Sequence, residues 1–116
     1  MEDTITVLAI KVGGSPHALN MPNTLEAMQE FVGGYIEAPG FRTHEDAVAN
    51  LHVVCDEEGR LKNKPRNIAL QGVDFCGDVF VTKSYPDGED FVSLDAKDIE
   101  WLVANITQFK GVVGRG

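Results

Sequence analysis

Residues 30–37, EFVGGYIE, connect a helical pattern to a strand pattern and so indicate the fold class. Before the glycines, Leu25, Met28 and Val32 recur at the spacing of one apolar helix face. Gly33 follows where helices commonly end in a left-handed residue, which glycine adopts without steric cost because it has no Cβ. The segment therefore predicts a helix C-cap followed by a sharp turn into a strand.

A second interpretation makes Gly33 and Gly34 an anion-binding loop. Phosphate-binding loops place their glycines before a helix, where free N–H groups point outward, whereas these glycines follow one. The C-cap interpretation is therefore preferred. At the other end of this helix, predicted near residues 24–32, Asn23 and Glu26 have the spacing of an N-cap and capping box.

A second helix is predicted near residues 95–107, where the chain has its clearest amphipathic pattern. Apolar residues recur there at i, i+3, i+4 and i+7. These positions are Ile99, Leu102, Val103 and Ile106. Either Ser93 or Asp95 can cap this helix, and the sequence leaves both open.

Runs of β-branched and aliphatic residues predict several strands. The predicted strands cover residues 5–12, 17–21, 51–55 and 73–84, the last being one bent strand or two around Gly77. Residues 62–70, KNKPRNIAL, lack a period and predict a surface loop or a single helical turn before their last three residues dock on the core. Together these elements predict an α+β fold, with a mostly antiparallel sheet of four to six strands and the two helices packed on one face.

Length and composition predict one globular domain over residues 1–116, with a frayed tail at 110–116. Apolar residues make up 43% of the chain, yet no run approaches the roughly 18 needed to span a membrane. The first residues are acidic where a secretory signal would be basic, so we expect the protein in the cytoplasm. The sheet face without helices would be open or covered by a partner, so a homodimer is compatible with this fold.

The net charge of −8 disfavours nucleic acid as a partner, yet the basic residues are unevenly placed. Arg60, Lys62, Lys64 and Arg66 place four of ten basic residues within seven positions. This basic cluster has three interpretations: a solvated loop balancing the preceding acids, a site for an acidic partner or phosphate-bearing small molecule, or a nucleic-acid contact. In the second interpretation Arg66 is a bidentate donor supported by Asn67, and Tyr35 offers a flat stacking surface. The predicted binding residues are Tyr35, Arg60, Lys62, Lys64, Arg66 and Asn67.

His52 and Cys55 form an H-x-x-C pattern that His44 and Cys76 could extend to a zinc ligand set. In a strand, however, residues three apart point to opposite faces, which works against shared coordination. Both cysteines lie in apolar runs flanked by aspartates, and neighbouring carboxylates raise the pKa of a thiol. The sequence therefore predicts no catalytic residue, no metal site and no cofactor.

Three segments, TLEAMQEFVGGYIE, DEEGRLKNKPRNIAL and DFVSLDAKDIEWL, resemble a family of small uncharacterised proteins of bacteriophages and mobile elements. The resemblance covers residues 24–102 and includes a Val-Gly-Gly-Tyr-Ile-Glu segment and a later Pro-x-Asn-x-x-Leu segment. It implies a phage-type accessory protein, a class whose members often antagonise host defence.

The resulting prediction is a non-enzymatic accessory protein that antagonises a host defence component by protein–protein binding. The alternative is a small-molecule binding module that sequesters a nucleotide-like signal through residues 60–67 and Tyr35. A third interpretation, suggested by the acidic charge, is mimicry of nucleic acid against a basic groove. The partner would thus be a host protein or a small phosphate-bearing ligand.

Overall fold

The computed structural model describes residues 3–43, 47–88 and 90–109, which form nine strands and two helices. The strands are β1 (Thr4–Ile10), β2 (His17–Pro22), β3 (Ile36–Glu37), β4 (Gly40–Phe41), β5 (Asn50–Asp56), β6 (Arg66–Leu70), β7 (Val73–Cys76), β8 (Val79–Ser84) and β9 (Thr107–Gln108). The helices are α1 (Leu25–Val32) and α2 (Ala96–Asn105). The tail predicted to fray, 110–116, lies outside the described residues.

The strands form two antiparallel sheets. The larger sheet has six strands in the order β2-β1-β8-β5-β3, with β4 also paired to β5. The smaller sheet has the order β7-β6-β9. The predicted α+β class, with a mostly antiparallel sheet of four to six strands and two helices, is confirmed. Within the described ranges no helix is long and apolar enough to cross a membrane.

The two helices, predicted to share one face of the sheet, instead lie on opposite faces. Val53 belongs to a hydrophobic cluster with Leu102 of α2, whereas the next residue, Val54, belongs to a cluster with Met28 of α1. Successive strand residues point to opposite faces, and the central strands are apolar on both, so each face needs a cover. The smaller sheet packs on the α2 side through Ile68 and other residues. The chain's own described elements therefore cover both faces, and the reasoning that favoured a homodimer no longer applies.

The ends of the helices partly follow the sequence patterns. The predicted N-cap at Asn23 is wrong: Thr24 is the N-cap of α1, and its hydroxyl accepts the Ala27 N–H at 3.1 Å. The C-cap prediction is confirmed, since Gly33 is left-handed with φ 79°. For α2 the structure selects Asp95, whose carboxylate forms a capping box with residue 98.

The loop or helical turn predicted before residue 68 is wrong at Arg66 and Asn67, where β6 begins and pairs with β7. The last three residues, predicted to dock on the core, do so as part of this strand, with Ile68 and Leu70 buried. Gln71 and Gly72 connect these strands with φ 48° and 82°, the values of a two-residue type I′ turn. The segment 73–84 forms two strands, one of the alternatives predicted, and they belong to different sheets.

Candidate functional site

Asp56, at the end of β5, binds two of the predicted site residues. The Nζ atoms of Lys62 and Lys64 each lie 2.8 Å from Asp56 Oδ2, and the Asp56 side chain is only 1% exposed. Each lysine also donates to a carbonyl at the end of α1, Lys62 to Gly33 at 3.2 Å and Lys64 to Val32 at 2.7 Å. Since the last carbonyls of a helix have no partner within it, the two lysines satisfy these groups while neutralising the carboxylate.

Hydrogen bonds keep Asp56 ionised although it is buried. Burial by itself would raise the pKa of Asp56, but the bonds from Lys62, Lys64 and the Glu58 N–H outweigh it and hold the pKa at about 2. The same bond to Asp56 raises the pKa of Lys62. Asp56 and Lys62 therefore stabilise each other's charged forms.

The two glycines of residues 30–37 have different structural roles. Gly33 supplies the left-handed C-cap. A Cβ on Gly34 would lie 2.6 Å from Asp56 Oδ1 and 2.7 Å from Lys62 Nζ, so only glycine leaves room for this ion pair. The pair of glycines is thus a turn packed against Asp56 and its lysines, with helix carbonyls rather than free amides facing the cations.

The two arginines of the basic cluster meet at Asp74 of β7. Arg66 forms an ion pair with Asp74 Oδ2 at 2.8 Å, and its guanidinium carbon lies 4.0 Å from the ring centroid of Phe109. Arg60 donates to the Asp74 backbone carbonyl at 3.1 Å. Three of the four cations therefore have a carboxylate partner within the protein, and Arg60 has a carbonyl.

The remaining two predicted residues, Asn67 and Tyr35, differ strongly in solvent exposure. Asn67 is 1% exposed, at a β-bulge of β6, and its amide donates to the carbonyls of Ile10 at 2.8 Å and Gly77 at 2.9 Å. It ties the smaller sheet to β1 and does not reach the surface. Tyr35 is 70% exposed, and its carbonyl accepts the Glu57 N–H at 2.9 Å. The six predicted residues thus do not form one continuous surface.

A cleft of about 360 Å³ lies beside them, between β7 and the end of β5, and is called the β7 cleft below. All four residues of β7 line it, facing residues 55–57, the turn at 59–61, and Glu37. Its apolar lining includes Leu61, 82% exposed, and Val73, 41% exposed. Glu37 and Glu57 also line it, and neither has an ion-pair partner among the described residues. The β7 cleft is thus partly apolar with unpaired acidic groups.

Both cysteines line the β7 cleft as free thiols. Burial raises the pKa of Cys55 to about 11, with further contributions from Glu37, Asp56 and Cys76. Since the thiolate is the nucleophilic form, Cys55 is an inert thiol at neutral pH.

The H-x-x-C pattern does not come together. His52 contacts the Ala38 carbonyl at 3.0 Å and the Ser84 hydroxyl at 2.7 Å, while Cys55 belongs to the hydrophobic cluster of the α2 side. His44 lies outside the described residues. In the part of the chain that the structure describes, no group of three or more His, Cys, Asp or Glu side chains could hold a metal ion.

The sequence reasoning missed the exposed apolar residues of the β7 cleft. Leu61 stands between two basic residues in a polar segment, and an isolated leucine there is a signal that could have been noticed. The pair Gln71-Gly72 between two apolar runs is a hairpin signal that would have revealed β6 and β7. Val73 then follows as the first residue of a strand beside the cleft.

Fold and site together define a small α+β domain of two antiparallel sheets with an acidic, partly apolar cleft between their edges. Residues 5–107 match the family described as Domain of unknown function (DUF3846), and the chain belongs to this family. No curated protein and no solved structure matches the chain. The phage or mobile-element origin implied by the sequence resemblance stays a prediction.

Proposed function

We propose that this DUF3846 protein is a non-enzymatic binding protein that engages a partner protein at the β7 cleft. The observation that carries the proposal is Leu61, which is 82% exposed on the lining of a concave site. Val73 lies in the same cleft, and Tyr35 is exposed next to Glu57, which also lines it. Grouped exposed apolar and aromatic residues with a charged rim are typical of protein-binding surfaces.

The partner in this proposal is a component of a host defence system, which the protein inhibits by occupying it. Support for this step comes from the resemblance to phage accessory proteins. The high pKa of Cys55 argues against this residue as a nucleophile, because its reactive thiolate form is scarce at neutral pH.

Sequestration of a nucleotide-like signal has less support. A phosphate site needs several free cations, but Lys62 and Lys64 are bound to Asp56, and Arg66 is bound to Asp74. Of the four cations of the basic cluster, this leaves only Arg60 without a carboxylate partner among the described residues. Binding a phosphate would require these pairs to break, which leaves the 1% exposed Asp56 carboxylate buried without its cations.

The proposal is tested by affinity capture from a host-cell lysate with wild-type protein, Leu61→Glu and the matched control Val103→Glu. Val103 is also exposed, but it lies on α2. We expect a protein that is retained by wild type and by Val103→Glu and is lost with Leu61→Glu. Equal retention by both variants would reject the β7 cleft as the binding surface.

The nucleotide alternative is tested by thermal unfolding of the purified protein with mono-, di- and cyclic nucleotides at millimolar concentration. A ligand that binds the native state raises Tm by mass action. We expect no rise. A rise that disappears with Arg66→Ala would replace the protein-binding proposal with the sequestering one.

A further inference from the structure

β7 is an edge strand, and its free edge faces the β7 cleft. In the smaller sheet β7 pairs with β6 on one side, and within the described ranges no strand pairs with its other side. Of its four residues, Val73 follows the two-residue turn and pairs with Leu70. Such a turn makes this first pair the hydrogen-bonded one, and the ladder then alternates, so the N–H and C=O of Asp74 point away from β6. Arg60, which donates to the Asp74 carbonyl from the cleft side, agrees with this direction.

We infer that the partner contributes an extended segment carrying a basic side chain, which pairs with β7 through the backbone of Asp74. This inference rests on the proposed function and names the partner's chemistry. An extended peptide that joins a sheet edge gains main-chain hydrogen bonds, and pockets beside the edge select its side chains. Here the outward N–H of Asp74 is the donor, and its carbonyl accepts from the segment in place of Arg60.

The acidic residues of the β7 cleft favour a basic side chain on the partner. Glu37 and Glu57 line the β7 cleft without an ion-pair partner among the described residues. Arg60 is the only cation in the described lining, so these two carboxylates outnumber it, and the chain carries a net charge of −8. A cationic side chain from the partner would meet these carboxylates and be steered toward them. A second copy of this chain would bring the same acids face to face, so the charge argues against β7 pairing with itself.

Shape sets the direction from which the segment enters. A Cβ on Gly59 would lie 3.2 Å from the Cys76 carbonyl, so the turn after β5 closes the cleft at that end of β7. Exposed Leu61 and Val73 line the cleft as well. The volume of about 360 Å³ is at the low end of ligand pockets, which run from about 300 to 1,000 Å³. The segment therefore enters at the Val73 end and places an apolar side chain beside the basic one.

The test uses Asp74→Pro, which removes the outward N–H, with Asp74→Ala as its matched control. Both variants lose the ion pair with Arg66, but only proline lacks the donor. Proline is tolerated on an edge strand where the N–H faces outward, and circular dichroism checks that both variants fold. The probe is a random eight-residue peptide library selected on the wild-type protein, followed by fluorescence anisotropy of the enriched peptides.

We expect the enriched peptides to carry lysine or arginine, to bind Asp74→Ala within about threefold of wild type, and to bind Asp74→Pro at least tenfold more weakly. Glu57→Gln weakens binding severalfold, whereas Glu100→Gln on α2, with the same charge change, does not. N-methylation of the pairing residue in the peptide is a second test that leaves the protein unaltered, and it abolishes binding.

Absence of enriched peptides, equal binding by the two Asp74 variants, or binding that survives N-methylation overturns the inference. If Leu61→Glu still loses the captured protein in that case, the proposed function stands and only strand addition is rejected. If peptides bind as expected but Leu61→Glu retains the captured protein, the proposed function is rejected at this cleft.

Discussion

Asp56 holds together three segments of the chain, because the turn after β5, the end of α1 and Gly34 all meet at or beside its carboxylate. Lys62 and Lys64 reach it from the turn after β5, and the same lysines hold the last carbonyls of α1. Gly34 lies so close that any side chain would meet the carboxylate. The two lysines that suggested a ligand site from the sequence thus bind groups of the protein itself and stabilise its fold.

Gly34→Ala should destabilise the protein by about 1–3 kcal/mol, the usual cost of inserting a methyl group into a filled space. The methyl carbon would lie 2.6 Å from a carboxylate oxygen that is held by hydrogen bonds and has little freedom to move. Urea unfolding measures the loss. Gly88→Ala, where the nearest atom is 3.7 Å away, is the matched control and should cost much less. Equal effects of the two substitutions would contradict the close packing at Gly34.

Asp56→Asn should cost about 2 kcal/mol at pH 7, less than the 3–5 kcal/mol of a fully buried pair because Lys62 is partly exposed. The folded-state pKa of about 2 is below the ordinary value of 3.8, so ionised Asp56 stabilises the fold above pH 4. This contribution is lost as the pH falls from about 4 to about 2. The difference in unfolding free energy between wild type and variant should therefore become smaller as the pH falls from about 4 to about 2. A difference that stays constant over this range would show that ionised Asp56 does not stabilise the fold.

At the scale of elements, α1 depends on a distant part of the chain for its C-terminal end. It has only eight residues and no basic residue in its last turn. Helices this short are marginal in isolation, and cations near the C-terminus stabilise the helix dipole. Lys62 and Lys64 supply that charge from the turn after β5. The helix is therefore stabilised by tertiary contacts that its own sequence does not contain.

Thr24→Ala should lower the free energy of unfolding by about 1 kcal/mol because it removes the N-cap of α1. Thr24→Ser keeps the hydroxyl that accepts the Ala27 N–H and should behave as wild type. Chemical denaturation of both variants distinguishes the loss of the cap from a general effect of substitution at this site. A wild-type value for Thr24→Ala would contradict the assignment of the N-cap.

The whole molecule should unfold in one transition, because the two hydrophobic clusters share the same central strands. β1, β5 and β8 each contribute alternate residues to the α1 side and to the α2 side. Loss of packing on one face therefore removes support from the strands that the other face needs. Two-state unfolding is the usual behaviour of single domains of this size.

Met28→Ala, on the α1 side, should cost about 2–4 kcal/mol and shift the fluorescence transition of Trp101, which packs on the opposite side. Trp101 is the chain's single tryptophan, so its signal is unambiguous. The shift should equal that seen by far-ultraviolet circular dichroism, and Glu30→Ala, on the exposed side of the same helix, should shift neither. Different shifts by the two probes would show that the faces unfold separately.

Local patterns predicted the elements whose causes are local. The left-handed glycine after Val32 and the buried strands predicted at 5–12 and 51–55, observed as β1 and β5, depend on residues a few positions apart. The cap of α2 was narrowed to Ser93 or Asp95, and the structure selected Asp95. β6 was missed because its pairing partners, β7 and β9, define it as a strand, and its own nine-residue context has no period. Balance of the preceding acids was one of the three interpretations of the basic cluster, but the burial of Asp56 between its lysines was not predicted.

By itself, the sequence determined the α+β class and most of the helix and strand positions, because hydrophobic periodicity and glycine conformation act over a few residues. Only the tertiary structure decided the partition into two sheets, the opposite placement of the helices and the partners of each charge. Asp56 and Lys64, or Arg66 and Asp74, carry no sign in the sequence of whether they face solvent or each other. Burial and pairing are properties of the folded chain, and they make Lys62 and Lys64 internal partners of Asp56 rather than free ligand-binding groups.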